Sequence, residues 1–161
     1  MSACGLLLTV VLAGGDVLSG VGLQGLNFKA PTGWEKGSPD ANSLEWTEAK
    51  ELAKMAVSVF PLEKFQPPAG CMKKLLEAVG KDGFEALTLG TQPAAKKITR
   101  DYLGEGEAAK VESNRITTTT VLGCNGKVKW VLTFSAKTSE GTRFGPMLKR
   151  IIESISYGKS P

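Results

Sequence analysis

Apolar and polar residues along the chain change period several times, and each change marks an element. Leu26, Phe28 and Ala30 alternate with polar neighbours, a short strand, and Pro31-Thr-Gly33-Trp34 reads as a turn with an aromatic anchor. Lys36 to Asn42 is a polar loop, after which Leu44-Glu-Trp46 alternates again. From Ala53 to Phe60, Met55, Val57 and Val59 face one way and Ala56, Ser58 and Phe60 the other. Apolar character on both faces suggests a sheet covered on both sides. Pro67-Pro68 stops this segment and opens a helix in which Met72, Leu75, Leu76 and Val79 share one face, with Gly80 placed to end it. Phe84, Ala86, Thr88 and the segment Ala95 to Tyr102 are weaker strand candidates, and Gly104-Glu-Gly106-Glu is a polar turn.

The clearest local pattern lies further on. Arg115 to Leu122 is rich in β-branched residues, and Asn125-Gly126 is the pair preferred in a two-residue type I′ hairpin. Such a turn pairs Val121 with Trp130, Thr119 with Leu132 and Thr117 with Phe134. Trp130, Leu132 and Phe134 then share a buried face, contributing roughly 2–3 kcal/mol each. Phe144, Met147, Leu148, Ile151, Ile152 and Ile155 form the stripe of a terminal amphipathic helix. Pro146 is tolerable only in its first turn. Thr138, Ser139 and Thr142 are available to cap it, and Gly158 closes it. Its polar face of Lys149, Arg150 and Glu153 suits a helix packed on a core.

The first residues follow no such period. Leu6 to Ala13 is a continuous apolar run, too short to span a membrane but suited to the h-region of a signal peptide. Val11-Leu-Ala13 before Gly14 provides small or modest residues for cleavage, although no Lys or Arg precedes the run. The expected division is a targeting segment or flexible N-terminus over residues 1–22 and one domain over 23–158. The alternative is a cytosolic protein in which the apolar run is a buried strand. Gly20-Val-Gly22-Leu-Gln-Gly25 matches G-x-G-x-x-G, but Asn27, Phe28, Pro31 and Gly33 follow where a dinucleotide site needs a helix. It reads as a flexible glycine-rich linker.

Composition removes whole classes of chemistry. The 161 residues include no histidine, which excludes Ser-His-Asp and Cys-His catalysis and every His-ligated metal. A net charge of +4, from 20 basic and 16 acidic residues, is spread along the chain, with pairs such as Lys73-Lys74, Lys96-Lys97 and Lys149-Arg150. A nucleic-acid binder gathers its charge on one face, so no nucleic acid is expected. No C-x-x-C or calcium-loop motif appears, no cofactor is indicated, and no pair of carboxylates stands out. Trp34 and Trp46 are candidates for a ligand or partner site, though core anchoring is the more ordinary use of each.

Of three cysteines, Cys4 would leave with a signal peptide. Cys71, at the start of the first helix, and Cys124, beside the hairpin turn, would remain. In an exported domain they suggest a bridge, which in the chain-entropy picture contributes roughly 4 kcal/mol for a loop of about 50 residues. The alternative is two independent half-buried thiols.

The order of elements resembles the PsbP-like superfamily, or Mog/PsbP fold, which includes bacterial DcrB-type lipoproteins. The residues that carry the resemblance are Phe28-Lys-Ala-Pro31-Thr-Gly33-Trp34, the strand into Phe60-Pro61, the hairpin into Trp130-Val-Leu-Thr-Phe134 and the helix from Phe144 to Ile155. The resemblance implies an α+β fold, an α/β/α sandwich with a twisted, mainly antiparallel sheet and helices packed on it. It implies no chemistry, since members serve mostly as photosystem accessory proteins, partners of a nuclear GTPase, envelope lipoproteins and type VI secretion adaptors. Lipoprotein members carry a cysteine after the h-region; here Cys4 precedes it, which puts a lipid anchor in doubt. The expected function is a non-catalytic, exported accessory domain that binds another protein at the cell envelope. A sheet edge, a loop cluster or a groove beside a helix would be its binding surface. A cytosolic adaptor or chaperone of the secretion type is the second reading, and a small histidine-free enzyme the last.

Overall fold

The computed structural model describes residues 16–37 and 40–158. In chain order the elements are β1 (Leu18–Leu23), β2 (Leu26–Pro31), β3 (Glu35–Lys36), β4 (Ser43–Thr47), β5 (Ala53–Pro61), α1 (Pro68–Val79), β6 (Glu85–Leu89), β7 (Gln92–Tyr102), β8 (Arg115–Cys124), β9 (Val128–Lys137), α2 (Gly141–Glu153) and β10 (Ser156–Tyr157). Seven strands form one antiparallel sheet in the order β3-β4-β5-β9-β8-β7-β6, and β1-β2-β10 form a second, smaller one. Helix α1 lies across β7 and β8 on one face of the large sheet. Helix α2 and the small sheet cover the other face. This is the α+β sandwich that the sequence leads one to expect, with the small sheet added to the layer of α2.

The main core fills the space between the large sheet and the α2 layer. Met55, Val57 and Val59 of β5, Trp130, Leu132 and Phe134 of β9, Phe144, Met147 and Ile151 of α2, and Leu26 and Phe28 of β2 are all buried there. The period-2 and period-3.6 stripes meet face to face, as their spacing requires. A smaller core beneath α1 holds Cys71, Met72, Leu75, Ala95, Leu122 and Cys124. Pro68 occupies the first turn of α1, where a missing N–H costs nothing, and Gly80 ends the helix at φ 86°. Val79, expected on the buried face of α1, is half exposed. The second face of β5 is only partly covered, because α1 sits over β7 and β8, and Phe60 is left exposed.

Three sequence expectations need correction. The stretch Gly20 to Gly25 is no flexible linker. Residues 18–23 form a strand paired with β2 from Leu18–Pro31 to Leu23–Leu26. Gln24 and Gly25 connect the two strands with φ of 49° and 85°, the geometry of a type I′ turn.

The β8–β9 hairpin exists, but its register is displaced by two residues: Val121 pairs with Leu132, Thr119 with Phe134 and Thr117 with Ala136. Asn125 has no positive φ, so the type I′ turn does not form. Its side-chain Oδ1 instead accepts the N–H groups of Lys127 and Val128, both at 2.9 Å. The carbonyls of Gly126 and Lys127 accept N–H groups of Gln66 (3.0 Å) and Leu62 (2.8 Å). These bonds to the β5–α1 connection hold open a longer turn. A shift of two keeps every side chain on its face, so the expected core survives.

Finally, no side chain caps α2, which starts at Gly141 after a 3-10 turn over Thr138–Glu140. The Thr138 hydroxyl is engaged with that of Thr117 at 2.9 Å. Pro146 is the sixth residue of the helix, past its first turn, and the helix ends at Glu153 with Ser154 as its cap, well before Gly158, so Ile155 is buried beyond it.

Candidate functional site

The two remaining cysteines meet across the smaller core. Cys71 in the first turn of α1 and Cys124 at the end of β8 lie with their sulfurs at disulfide distance and their Cα atoms 6.1 Å apart. Both are buried. The pair ties α1 to the large sheet across 53 residues of chain.

The candidate aromatics are core anchors. Trp34 is buried and packs edge-on against Phe144 (5.9 Å) and at a tilt of 42° against Phe134 (6.1 Å). Trp46 is buried and meets Phe28 edge-on at 5.8 Å. Neither offers a face to a ligand.

A charged cluster that sequence reasoning missed sits at the start of α2. Arg143 bonds Asp16 at 3.0 Å and Glu48 at 3.3 Å, while its guanidinium stacks 4.6 Å above the Phe144 ring. Arg150 donates to the Asp16 carbonyl at 3.0 Å. Glu48 is 6% exposed and also accepts the N–H groups of Lys50 and Leu52. Burial alone would raise its pKa, but those two N–H groups and Arg143 outweigh burial and hold it below the ordinary value. Asp16 is the strongest bonding influence on Arg143, whose pKa is raised. No periodicity announces this cluster, because its members are 32 and 95 residues apart; the local turn that follows Glu48 is the only sequence trace.

Three clefts frame the α2 layer. The largest, about 840 Å³, runs over the outer side of β1 and β2, where Gly20 and Gly22 leave a shelf bounded by Asp16, Arg150 and Glu153. There Arg150 donates to the Asp16 backbone carbonyl, and the Asp16 carboxylate is engaged by Arg143. The other two adjoin each other between α2 and the β6–β8 end of the large sheet, with volumes of about 550 and 330 Å³. They share Ile98, Thr119, Gly145 and Leu148 and so form one open groove. Leu87, Leu89 and Ile152 extend its apolar surface, and Lys96, Arg100, Lys137 and Lys149 stand along it with the single carboxylate of Glu153. The groups with displaced pKa values, Glu48, Arg143 and Tyr157, do not line it.

Among the described residues no three His, Cys, Asp or Glu side chains gather as metal ligands. No described helix is long and apolar enough to cross a membrane. The apolar run, its cleavage site at Ala13 and Cys4 lie outside the described residues.

The architecture is similar to that of solved proteins. Over 98% of this chain and 99% of its own, the solution structure of cyanobacterial PsbP (CyanoP) from Synechocystis superposes with a TM-score of 0.58 at 12% identity. The chain has the PsbP/Mog fold. The Ran-binding protein Mog1p of Saccharomyces cerevisiae also matches, at a TM-score of 0.50 and 9% identity over 88% of this chain and 96% of that one. A crystal structure from Bacteroides thetaiotaomicron reaches a TM-score of 0.61 at 12% identity over 84% of this chain. The chain spans about half of that protein, 46% of its length. No family model matches the sequence, and no curated protein matches it. At these identities the PsbP/Mog likeness concerns architecture; function must be argued from the surface.

Proposed function

We propose that this chain is a non-catalytic binding domain, exported to the cell envelope, that works by contact with another protein. The observation that carries the reading is the open groove beside α2. It offers apolar side chains and a cationic border to a partner, and the Thr117 hydroxyl on its floor is bonded to that of Thr138 at 2.9 Å. One protein similar in fold, the Ran-binding Mog1p, is a binding protein by name, which agrees with this use of the scaffold. Export is supported by the apolar h-region and by Cys71 and Cys124 placed at disulfide distance, a pairing that persists in oxidising compartments. A leader removed after Ala13 would leave Asp16 and β1 in place.

In-cell cross-linking followed by fractionation and native mass spectrometry tests this reading. The expected result is a discrete complex of fixed stoichiometry in the envelope fraction. Recovery only from the cytosol, or only as free chain, would contradict it.

A further inference from the structure

The groove beside α2 carries enough chemistry to say what kind of partner segment fits it. Side chains alternate along β7, so Lys96, Ile98 and Arg100 all face the groove. Ile98 is 48% exposed, an apolar side chain left open between two cations. Neither Lys96 nor Arg100 has an ion-pair partner among the described residues. Across the groove, Gly145 presents bare helix backbone with open space where a β-carbon would stand.

The spread of the charges decides the occupant. Lys96 and Arg100 are four strand positions apart, about 13 Å. Lys149 stands on the opposite wall, beside Glu153 at 3.9 Å. A single anionic headgroup reaches one of these cations, whereas a peptide with several carboxylates reaches all of them. The chain's own first 15 residues contain no Asp or Glu and so lack the complementary charge.

We infer that the groove between α2 and β6–β8 binds an acidic amphipathic peptide segment of the partner, its apolar side chains resting on Ile98, Leu87 and Leu148 and its carboxylates meeting Lys96, Arg100 and Lys149. The inference rests on the binding-domain reading above and names the segment that this surface recognises. Apolar contact supplies affinity, and the charges supply register and selectivity.

Fluorescence anisotropy of the full chain with two labelled synthetic peptides tests it. Both peptides have the same leucine face; one carries Glu at its remaining positions and the other Lys. The Glu peptide is expected to bind at least about tenfold more tightly than the Lys peptide, and more weakly as salt rises. Ile98→Glu, and separately Lys96→Glu with Arg100→Glu, should each weaken it by about tenfold or more with an unchanged unfolding midpoint, because Ile98 and Arg100 are exposed. Equal affinity for the two peptides would overturn the inference. So would unchanged binding by both variants, or oleate binding at this groove where neither peptide binds. If cells expressing wild type and Ile98→Glu yield the same envelope complex, the groove is not the docking site, although the binding-domain reading stands.

Discussion

The indole N–H of Trp130 donates to the hydroxyl of Tyr157 at 2.6 Å, a single bond that links the centre of the large sheet to the last strand of the small one. Trp130 is fully buried, and its ring lies over Gly123, its cross-strand partner. A β-carbon at Gly123 would collide with Cζ2, Cε2 and Nε1 of that ring. Gly123→Ala should therefore lower stability by about 1–3 kcal/mol in urea unfolding, the usual cost of overpacking. Tyr157→Phe should cost about 1–3 kcal/mol by leaving a buried N–H unpaired.

The same phenol sets an alkaline limit. Burial raises the Tyr157 pKa above its ordinary value of 10.0, although the Trp130 hydrogen bond pulls the other way. The unfolded chain thus releases this proton at lower pH than the folded one. Stability should decline as pH rises through 10 and beyond, and Tyr157→Phe should remove that part of the decline. Thermal unfolding of both forms across this range checks it.

At the acid end the decisive group is Glu48. Its folded pKa lies below the ordinary 4.5, so its contribution is complete above that value and is lost as pH falls through the folded pKa. Arg143→Ala, which removes a charged partner from a buried carboxylate and frees Asp16, should cost about 1.5–3 kcal/mol at neutral pH. The acid midpoint of unfolding should move upward, since Glu48 then loses one of the groups that hold its pKa down.

Much of the large sheet was legible because its core strands obey period 2 and both helices period 3.6. Trp130, Leu132 and Phe134 fall on one buried face, as their alternation demands, even though the hairpin register is displaced. That displacement was illegible because the N–H donors of Leu62 and Gln66 come from another part of the chain. Strand β1 was hidden by Gly20 and Gly22, which have no side chains to alternate. Strand β10 is two residues long and exists only by pairing with Asn27 and Leu26. For the groove, the alternation of Lys96, Ile98 and Arg100 was present in the sequence. That α2 leaves this end of the sheet uncovered is a fact of packing.

Gly126 is a second glycine that the packing fixes. It sits at φ 92°, and a β-carbon there would lie 2.5 Å from the Phe65 ring and 2.7 Å from the Gln66 carbonyl oxygen. Gly126→Ala should cost about 1–3 kcal/mol and loosen the tie between the hairpin tip and the entry to α1. Hydrogen exchange should show faster exchange at the amides of Leu62 and Gln66, which bond to this turn.

For the cysteines, closing a loop of this length stabilises by roughly 4 kcal/mol in the chain-entropy picture. Cys71→Ser with Cys124→Ser should lower unfolding stability by up to about that amount relative to the oxidised protein. Adding reductant should destabilise the wild type and leave the double variant unchanged.

Under the proposed function the protein is a processed, oxidised domain outside the cytosol. The most direct test is the intact mass of the protein isolated from its native host, with and without thiol alkylation. A mass that starts at Gly14 or just after, retaining Asp16 and β1, with Cys71 and Cys124 closed to alkylation until reduction, is the predicted result. A mass that starts at Met1 or Ser2, with three alkylatable thiols, would contradict it.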